Sequence, residues 1–280
     1  MTRMRKRRAP TTAESLREYG RGVAGGFLFS LPLLFTMETW AGAVTIPPGR
    51  LAIGIAGTFV LLCGYNLFAG LRHDSTITEV LIDSVEELGI GLAVGAGMLY
   101  LLGRLPPGAT LDEWLGLIVL EGLFVAVGVS VGTAQLSSGD ENTGAPEGRH
   151  KSVWSEIVLA FCGAVLIAAN VAPTEEILLL AAEMQTMQLV GTMTVSILFA
   201  ASLLYLSDFT GSGRFADERG PFGVVHGSAI TYAAALLVSA GLLWFFGRFA
   251  HNGAALNAAQ CVVLGLAATL GASAGRLLLR

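Results

Sequence analysis

Asn170-Val-Ala-Pro-Thr-Glu-Glu-Ile-Leu-Leu-Leu180 sets a proline and then two carboxylates at the far end of a long apolar run, and Ser30-Leu-Pro-Leu-Leu-Phe-Thr-Met-Glu-Thr-Trp40 echoes it with a proline and a Thr-x-Glu. Within an apolar helix a proline removes a backbone donor, and a carboxylate is costly to take out of water. Two readings of the later stretch hold together. Pro173 at a first helical position, with Glu175 and Glu176 in the turn after it, has the chemistry of a helix start, where the missing donor costs nothing and acids meet the positive end of the helix dipole. An interrupted backbone also frees carbonyls to coordinate a cation, with a nearby carboxylate to neutralise it.

The surrounding chain makes the host of this motif a membrane. Of 280 residues 53% are hydrophobic, only 14% are charged and 36 are glycine, with a mean hydropathy of +0.66, outside the range of an ordinary soluble domain. Apolar segments long enough to cross about 30 Å of hydrocarbon recur eight times. They lie near Val23 to Val44, Leu51 to Leu71, Val80 to Leu102, Trp114 to Leu136, Val153 to Ala172, Met187 to Leu206, Ile230 to Phe249 and Ala259 to Leu279. Ala41-Gly-Ala43 in the first resembles a signal cleavage site, but the basic region before it is too long and the segment has a later counterpart. The predicted architecture is all-α, a multi-pass protein of the bacterial inner membrane.

Orientation follows from Lys and Arg position rather than from the net charge of −4. With the N-terminus in the cytoplasm, the inner loops and ends hold the cluster Met1-Thr-Arg-Met-Arg-Lys-Arg-Arg8 together with Arg72, Arg149, Lys151, Arg214, Arg219, Arg276 and Arg280, leaving Arg50, Arg104 and Arg248 outside. Both termini are therefore expected inside. Residues 1–21 form a basic tail and a juxtamembrane helix, with a capping box at Thr11-Thr-Ala-Glu14. Residues 22–136 form a first transmembrane repeat, 137–152 a Ser-, Gly- and charge-rich cytoplasmic linker, and 153–280 a second repeat.

The two repeats read as a duplication. A slide of about 144 residues aligns Val94-Gly-Ala-Gly-Met-Leu-Tyr-Leu-Leu-Gly-Arg104 with Val238-Ser-Ala-Gly-Leu-Leu-Trp-Phe-Phe-Gly-Arg248, and Gly128-Val-Ser-Val-Gly132 with Gly271-Ala-Ser-Ala-Gly275. A small shift sets Thr36-Met-Glu38 against Thr174-Glu-Glu176. Four helices return the chain to its starting side, so the halves are expected to be parallel repeats about an axis along the membrane normal. Gly91/Gly95, Gly128/Gly132 and Gly271/Gly275 read as packing seams, because glycine lets two backbones approach.

Ionisable residues in such helices are the candidates for function. Counting from Arg21 places Glu38 about one turn below the outer interface, after a backbone break at Pro32, with Glu175 and Glu176 beside the matching break at Pro173. Glu121 stands about two turns into an otherwise apolar helix. Asp83, Glu86 and Glu87 share one helix face, where three close carboxylates would call for a bound cation or proton. Asn66 reads as a polar bridge between helices, and Cys63, Cys162 and Cys261 as buried apolar residues without metal spacing. His226 and His251 are lone imidazoles. Walker, HExxH, GxSxG and dinucleotide signatures are missing, so neither an enzyme nor a cofactor is expected, and no nucleic acid partner.

The Ser30 to Trp40 and Val171 to Leu180 stretches together resemble a family of bacterial integral membrane proteins of unknown function, over most of the chain after the basic tail. Ala169-Asn-Val-Ala-Pro-Thr-Glu175 is also similar to the small-residue, Pro, Glu signature of cation/calcium exchangers, whose repeats are inverted rather than parallel. The expected function is movement of a small cation or protons by Glu38, Glu121, Glu175 and Glu176, with the lipid bilayer and the ion as partners and a homo-oligomer open. The competing class is a membrane scaffold or sensor that binds partners through the tail and linker.

Overall fold

A computed structural model describes residues 12–68, 76–105, 108–135, 153–208, 215–250 and 252–278. The basic tail, Thr11 of the expected capping box, the linker 137–152 and His251 lie outside the described residues. The described chain is helical and has no strand. Its elements are α1 (Thr12–Leu34), α2 (Met37–Thr45), α3 (Pro48–Phe68), α4 (Ile77–Leu101), α5 (Leu111–Gln135), α6 (Val153–Ala168), α7 (Glu176–Glu183), α8 (Thr186–Asp208), α9 (Phe215–Phe245) and α10 (Ala254–Leu278).

One segment expected as a single helix is broken, and another ends early. The first, Val23 to Val44, is α1 and α2, with an axis change of 86° between them. Pro32 brings no N–H to the ladder, and the last turn closes instead through short-range bonds, Phe35 N–H to Pro32 O at 3.2 Å and Thr36 N–H to Leu33 O at 3.1 Å. Thr36 then turns extended, at φ −94° and ψ 116°, and α2 starts in a new direction. The fifth segment ends at Ala168, and a run of turns leads to α7, so Pro173 precedes a new helix rather than kinking an old one. Five helices are long and apolar enough to cross a membrane (α3, α5, α8, α10 and α9 from Val224), and the bent α1–α2 pair makes six. α6, at 16 residues, and α4, with Glu79, Asp83, Glu86 and Glu87 in its first half, are not among them.

The two halves are built alike. Gly25 of α1 lies so close to α5 that an added Cβ would sit 2.6 Å from Gly128 O and 3.0 Å from Gly132 N. In the second half, a Cβ on Gly163 of α6 would stand 2.7 Å from Gly275 Cα of α10 and closer still to Gly271 O. These glycines are packing seams, as are Gly91 and Gly95, which press on Ala126 and Gly122. α4 and α9 end identically. Gly103 and Gly247 take φ of +66° and +74°, and the next residues, Arg104 and Arg248, each donate at 2.8 Å to the carbonyl five residues back, Leu99 and Leu243. A helix end of this type needs a left-handed residue, which explains the Gly-Arg pair at both places.

The halves meet along α3 and α6, where Val158 packs on Gly64, and through an aromatic cluster in which Phe124 of α5 stacks on Phe246 at 6.0 Å and meets Phe245 edge-on at 6.4 Å. At the bend end of the bundle Arg104 covers the Trp40 ring at 3.7 Å and Arg50 covers Trp244 at 5.6 Å, so two arginines expected outside are stacked on indoles.

Candidate functional site

The two helix breaks touch. Asn170, in the turn after α6, donates from Nδ2 to Phe29 O (3.1 Å) and to Leu166 O (2.6 Å), and its Oδ1 accepts from Leu33 N–H (3.1 Å). Phe29 C=O and Leu33 N–H are the pair that a regular α1 would join to each other. The amide of one half thus braces the proline-weakened turn of the other. In the alignment that matches Thr36 with Thr174, Asn170 corresponds to Pro32: the position that loses a donor in one repeat supplies two in the other.

The bend redirects the chain over α5. The buried face of α2 consists of Thr39 and Ala43, and Ala43 O approaches α5 so closely that a Cβ on Gly116 would lie 2.6 Å from it. On α5, Val125, Gly128 and Gly132 face α1, against Gly26 and Gly25. Glu121 is one turn before Val125 on that same face, at the level of the last turn of α1. Its side chain is 0% exposed, and neither carboxyl oxygen has a hydrogen-bond partner among the described residues. Thr39 Oγ1 and Trp40 Nε1 are likewise buried and unpartnered. α2 and α5 thus carry four such polar atoms between them, and isolated buried polar groups are expensive.

The other expected acids are arranged differently. Glu38 and Glu176 sit in the first turns of α2 and α7, and Glu175 is the N-cap residue of α7, so the helix-start reading describes their local structure. Glu38 is half-buried, and Glu175 and Glu176 are exposed. Of the three acids on α4, two have partners on different helices. Glu86 is exposed and accepts from the Tyr19 hydroxyl of α1, whereas Glu87 accepts from Asn66 Nδ2 at 2.8 Å. Asn66 also donates to Ser84 Oγ at 3.1 Å and accepts from Ser130 Oγ at 3.5 Å, bridging α3, α4 and α5. Glu86 and Glu87 thus turn to different neighbours, on α1 and α3. Among the described residues no three His, Cys, Asp or Glu side chains group as metal ligands.

The second half has a buried pair that composition did not single out. Arg276, near the end of α10, meets Glu156 Oε2 of α6 at 2.7 Å, and it also donates to Gly227 O at 2.9 Å and to Thr231 Oγ1 of α9. An arginine and a glutamate in apolar helices 120 residues apart carried the signal. In the sequence Arg276 reads only as an inner-end charge, and Glu156 draws no attention of its own.

A family model described as "Putative integral membrane protein (DUF2391)" matches residues 18–279. The chain belongs to this family. DUF2391 thus covers both helix breaks, and it agrees with the resemblance read from the Pro and Glu stretches. No curated protein and no solved structure matches the chain.

Proposed function

We propose that this integral membrane protein moves protons or a small cation across the bacterial inner membrane, with the Glu121 carboxyl as the group that takes up the charge in transit. One observation carries this reading: a carboxyl near the middle of an apolar 25-residue helix is fully buried with both oxygens unpartnered. An ionised acid held in this way costs several kcal/mol unless a cation or proton joins it. In this reading the chain crosses the bilayer eight times, in two parallel repeats whose first crossings are the bent pair α1–α2 and α6 with the short α7 after it, with both termini in the cytoplasm. Glu38, Glu175 and Glu176, on the helices that follow the two breaks, form an acidic outer approach. No bond-making chemistry is involved.

Purified protein in liposomes tests the reading. Wild type should dissipate an imposed ion or proton gradient faster than empty vesicles, and Glu121→Gln should return the rate to that of empty vesicles. Equal rates for wild type and Glu121→Gln would refute it.

A further inference from the structure

The inner ends of the two halves can be compared position by position. α4 and α9 match at an offset of 144 residues, through the left-handed Gly103 and Gly247, and α5 and α10 at 143, through the Gly128/Gly132 and Gly271/Gly275 seams. α3 and α8 match at 138, since Arg50 and Gln188 bond back in the same way to Pro47 O and Gln185 O at the two helix starts. In these registers Glu87 falls on Thr231, Asn66 on Leu204 and Thr133 on Arg276, while Ser84 and Ser130 fall on serines, Ser228 and Ser273. The second half sets a carboxylate against a guanidinium there, Glu156 Oε2 to Arg276 at 2.7 Å. The first half has no guanidinium at the matching place, where Thr133 turns its hydroxyl to Val129 O of its own helix.

Glu87 has neutral partners instead, drawn from three helices. Asn66 Nδ2 donates to Glu87 Oε2 at 2.8 Å and to Ser84 Oγ at 3.1 Å, Asn66 Oδ1 accepts from Ser130 Oγ at 3.5 Å, and Ser130 also reaches the Glu87 carboxyl. Ser84 donates to Val80 O at 2.7 Å. Asn66, Ser84 and Ser130 are buried and Glu87 is half-buried, so the carboxyl lies at the mouth of the cluster, next to the exposed Glu86. A carboxylate among apolar helices calls for a positive charge, and the cluster suits the smallest one. Both hydrogens of the Asn66 amide point at oxygens that a metal ion would need as ligands, and turning the amide over would set oxygen against oxygen. A proton meets no such conflict. When Glu87 is ionised, Ser130 donates to it; when it is protonated, the acid donates to Ser130 Oγ, which turns its own hydrogen to Asn66 Oδ1. Resting on the transport reading above, we infer that Glu87 is a second proton-binding group, an inner station of the route, held by Asn66, Ser84 and Ser130. The proton bonds to a carboxyl oxygen on loading and leaves to water on release. Ser130 and Glu121 are nine residues apart on α5, about 13 Å along its axis.

The titratable neighbours come from every helix around the cluster. On α4 itself Asp83 and Glu86 lie within about a turn of Glu87. α1 contributes Tyr19, which donates to Glu86, with Arg17 and Arg21 two residues to either side of it. α3 contributes Tyr65, buried next to Asn66 in the chain, and α6 contributes Cys162, which packs in the same apolar group as Tyr65. Residues 122–135 of α5 contain no titratable group.

The test uses the full chain in liposomes with an internal pH dye, in sodium, in potassium and in choline, alongside infrared difference spectra between acid and alkaline buffer and Tm as the check on folding. Wild type should carry protons at the same rate in all three salts and show protonated-carboxyl bands. Glu87→Gln keeps an acceptor for Asn66, so it should fold, remove one of those bands while sparing the one lost in Glu121→Gln, and lower flux to the rate of empty vesicles. Ser130→Ala deletes one hydroxyl in place; it should shift the Glu87 band and slow flux about tenfold, the loss of one hydrogen bond to a charged group. Carboxyl bands identical in wild type, Glu87→Gln and Ser130→Ala would overturn the site, and flux lost in Glu121→Gln alone would do so while leaving the transport reading standing. Flux that requires sodium or potassium and falls in Glu87→Gln would overturn the proton assignment. Absence of any flux in wild type would remove the transport reading and the station with it.

Discussion

In the first repeat the short helix after the bend buries Thr39 and Ala43 against α5, which carries Glu121; in the second the matching helix buries Ile177 and Ala181 against α10, which carries Leu264. The backbones agree down to the glycine seams and the left-handed glycines at 103 and 247. The polar groups differ: Thr39, Trp40 and Glu121 of the first half align with Ile177, Leu178 and Leu264, while Leu117 aligns with Gln260, which is buried with Oε1 unpartnered. Helix packing is thus set by glycines that both halves share, and chemistry by a few residues that they do not. The opposite end of the bundle repeats the lesson. Where α4 has Glu87 bonded to Asn66, the matching position of α9 is Thr231, bonded to Arg276, whose charge Glu156 balances. There each carboxylate has a hydrogen-bond partner on one oxygen, whereas both oxygens of Glu121 are unpartnered among the described residues.

Breaking the shared frame should have the largest effect. Gly25→Leu or Gly163→Leu drives a side chain into backbone of the facing helix, where only a helix shift relieves the clash, and should abolish recovery of monodisperse protein by size-exclusion chromatography. Gly57→Ala and Gly97→Ala, with nothing within 4 Å of the new methyl, should leave recovery unchanged.

Arg276→Met strands Glu156 without its cation and should cost about 3–5 kcal/mol, seen as a large fall in Tm in detergent. Adding Glu156→Met should restore most of the loss, since an apolar pair needs no compensation. A further fall in the double variant would contradict the pairing.

Asn170→Ala removes the brace between the breaks and leaves Leu33 N–H and Phe29 O to each other or to nothing. It should lower stability by about 1–3 kcal/mol and increase amide exchange in the last turn of α1 above that in α6. Equal exchange in the two would show that the bend needs no brace.

Glu121→Leu should leave Tm unchanged or slightly raised, because it exchanges an unpartnered buried acid for the residue that the second repeat uses at the same place. A clear loss of stability would mean that Glu121 has a structural partner.

Much of this frame is legible in the residues. The Gly-Arg match at 103–104 and 247–248 marks two equal helix ends, and Glu121 stands out because nothing polar surrounds it along the chain. Apolar length does not reveal direction, so Val23 to Val44 reads as one helix when Pro32 and an extended Thr36 turn it through 86°. Asn170 is visible in the motif, yet its role depends on a contact 137 residues away that no local pattern encodes. Asp83, Glu86 and Glu87 share a face by spacing, but side-chain partners on α1 and α3 pull Glu86 and Glu87 apart.

The most direct measurement is the rate of proton movement into liposomes containing wild type, Glu121→Gln or Glu121→Leu, each shown to be folded by its Tm. Fast movement in wild type and none above empty vesicles in the two variants is the predicted result. Equal rates in all three folded proteins would contradict the assignment of Glu121 as the charge-carrying group.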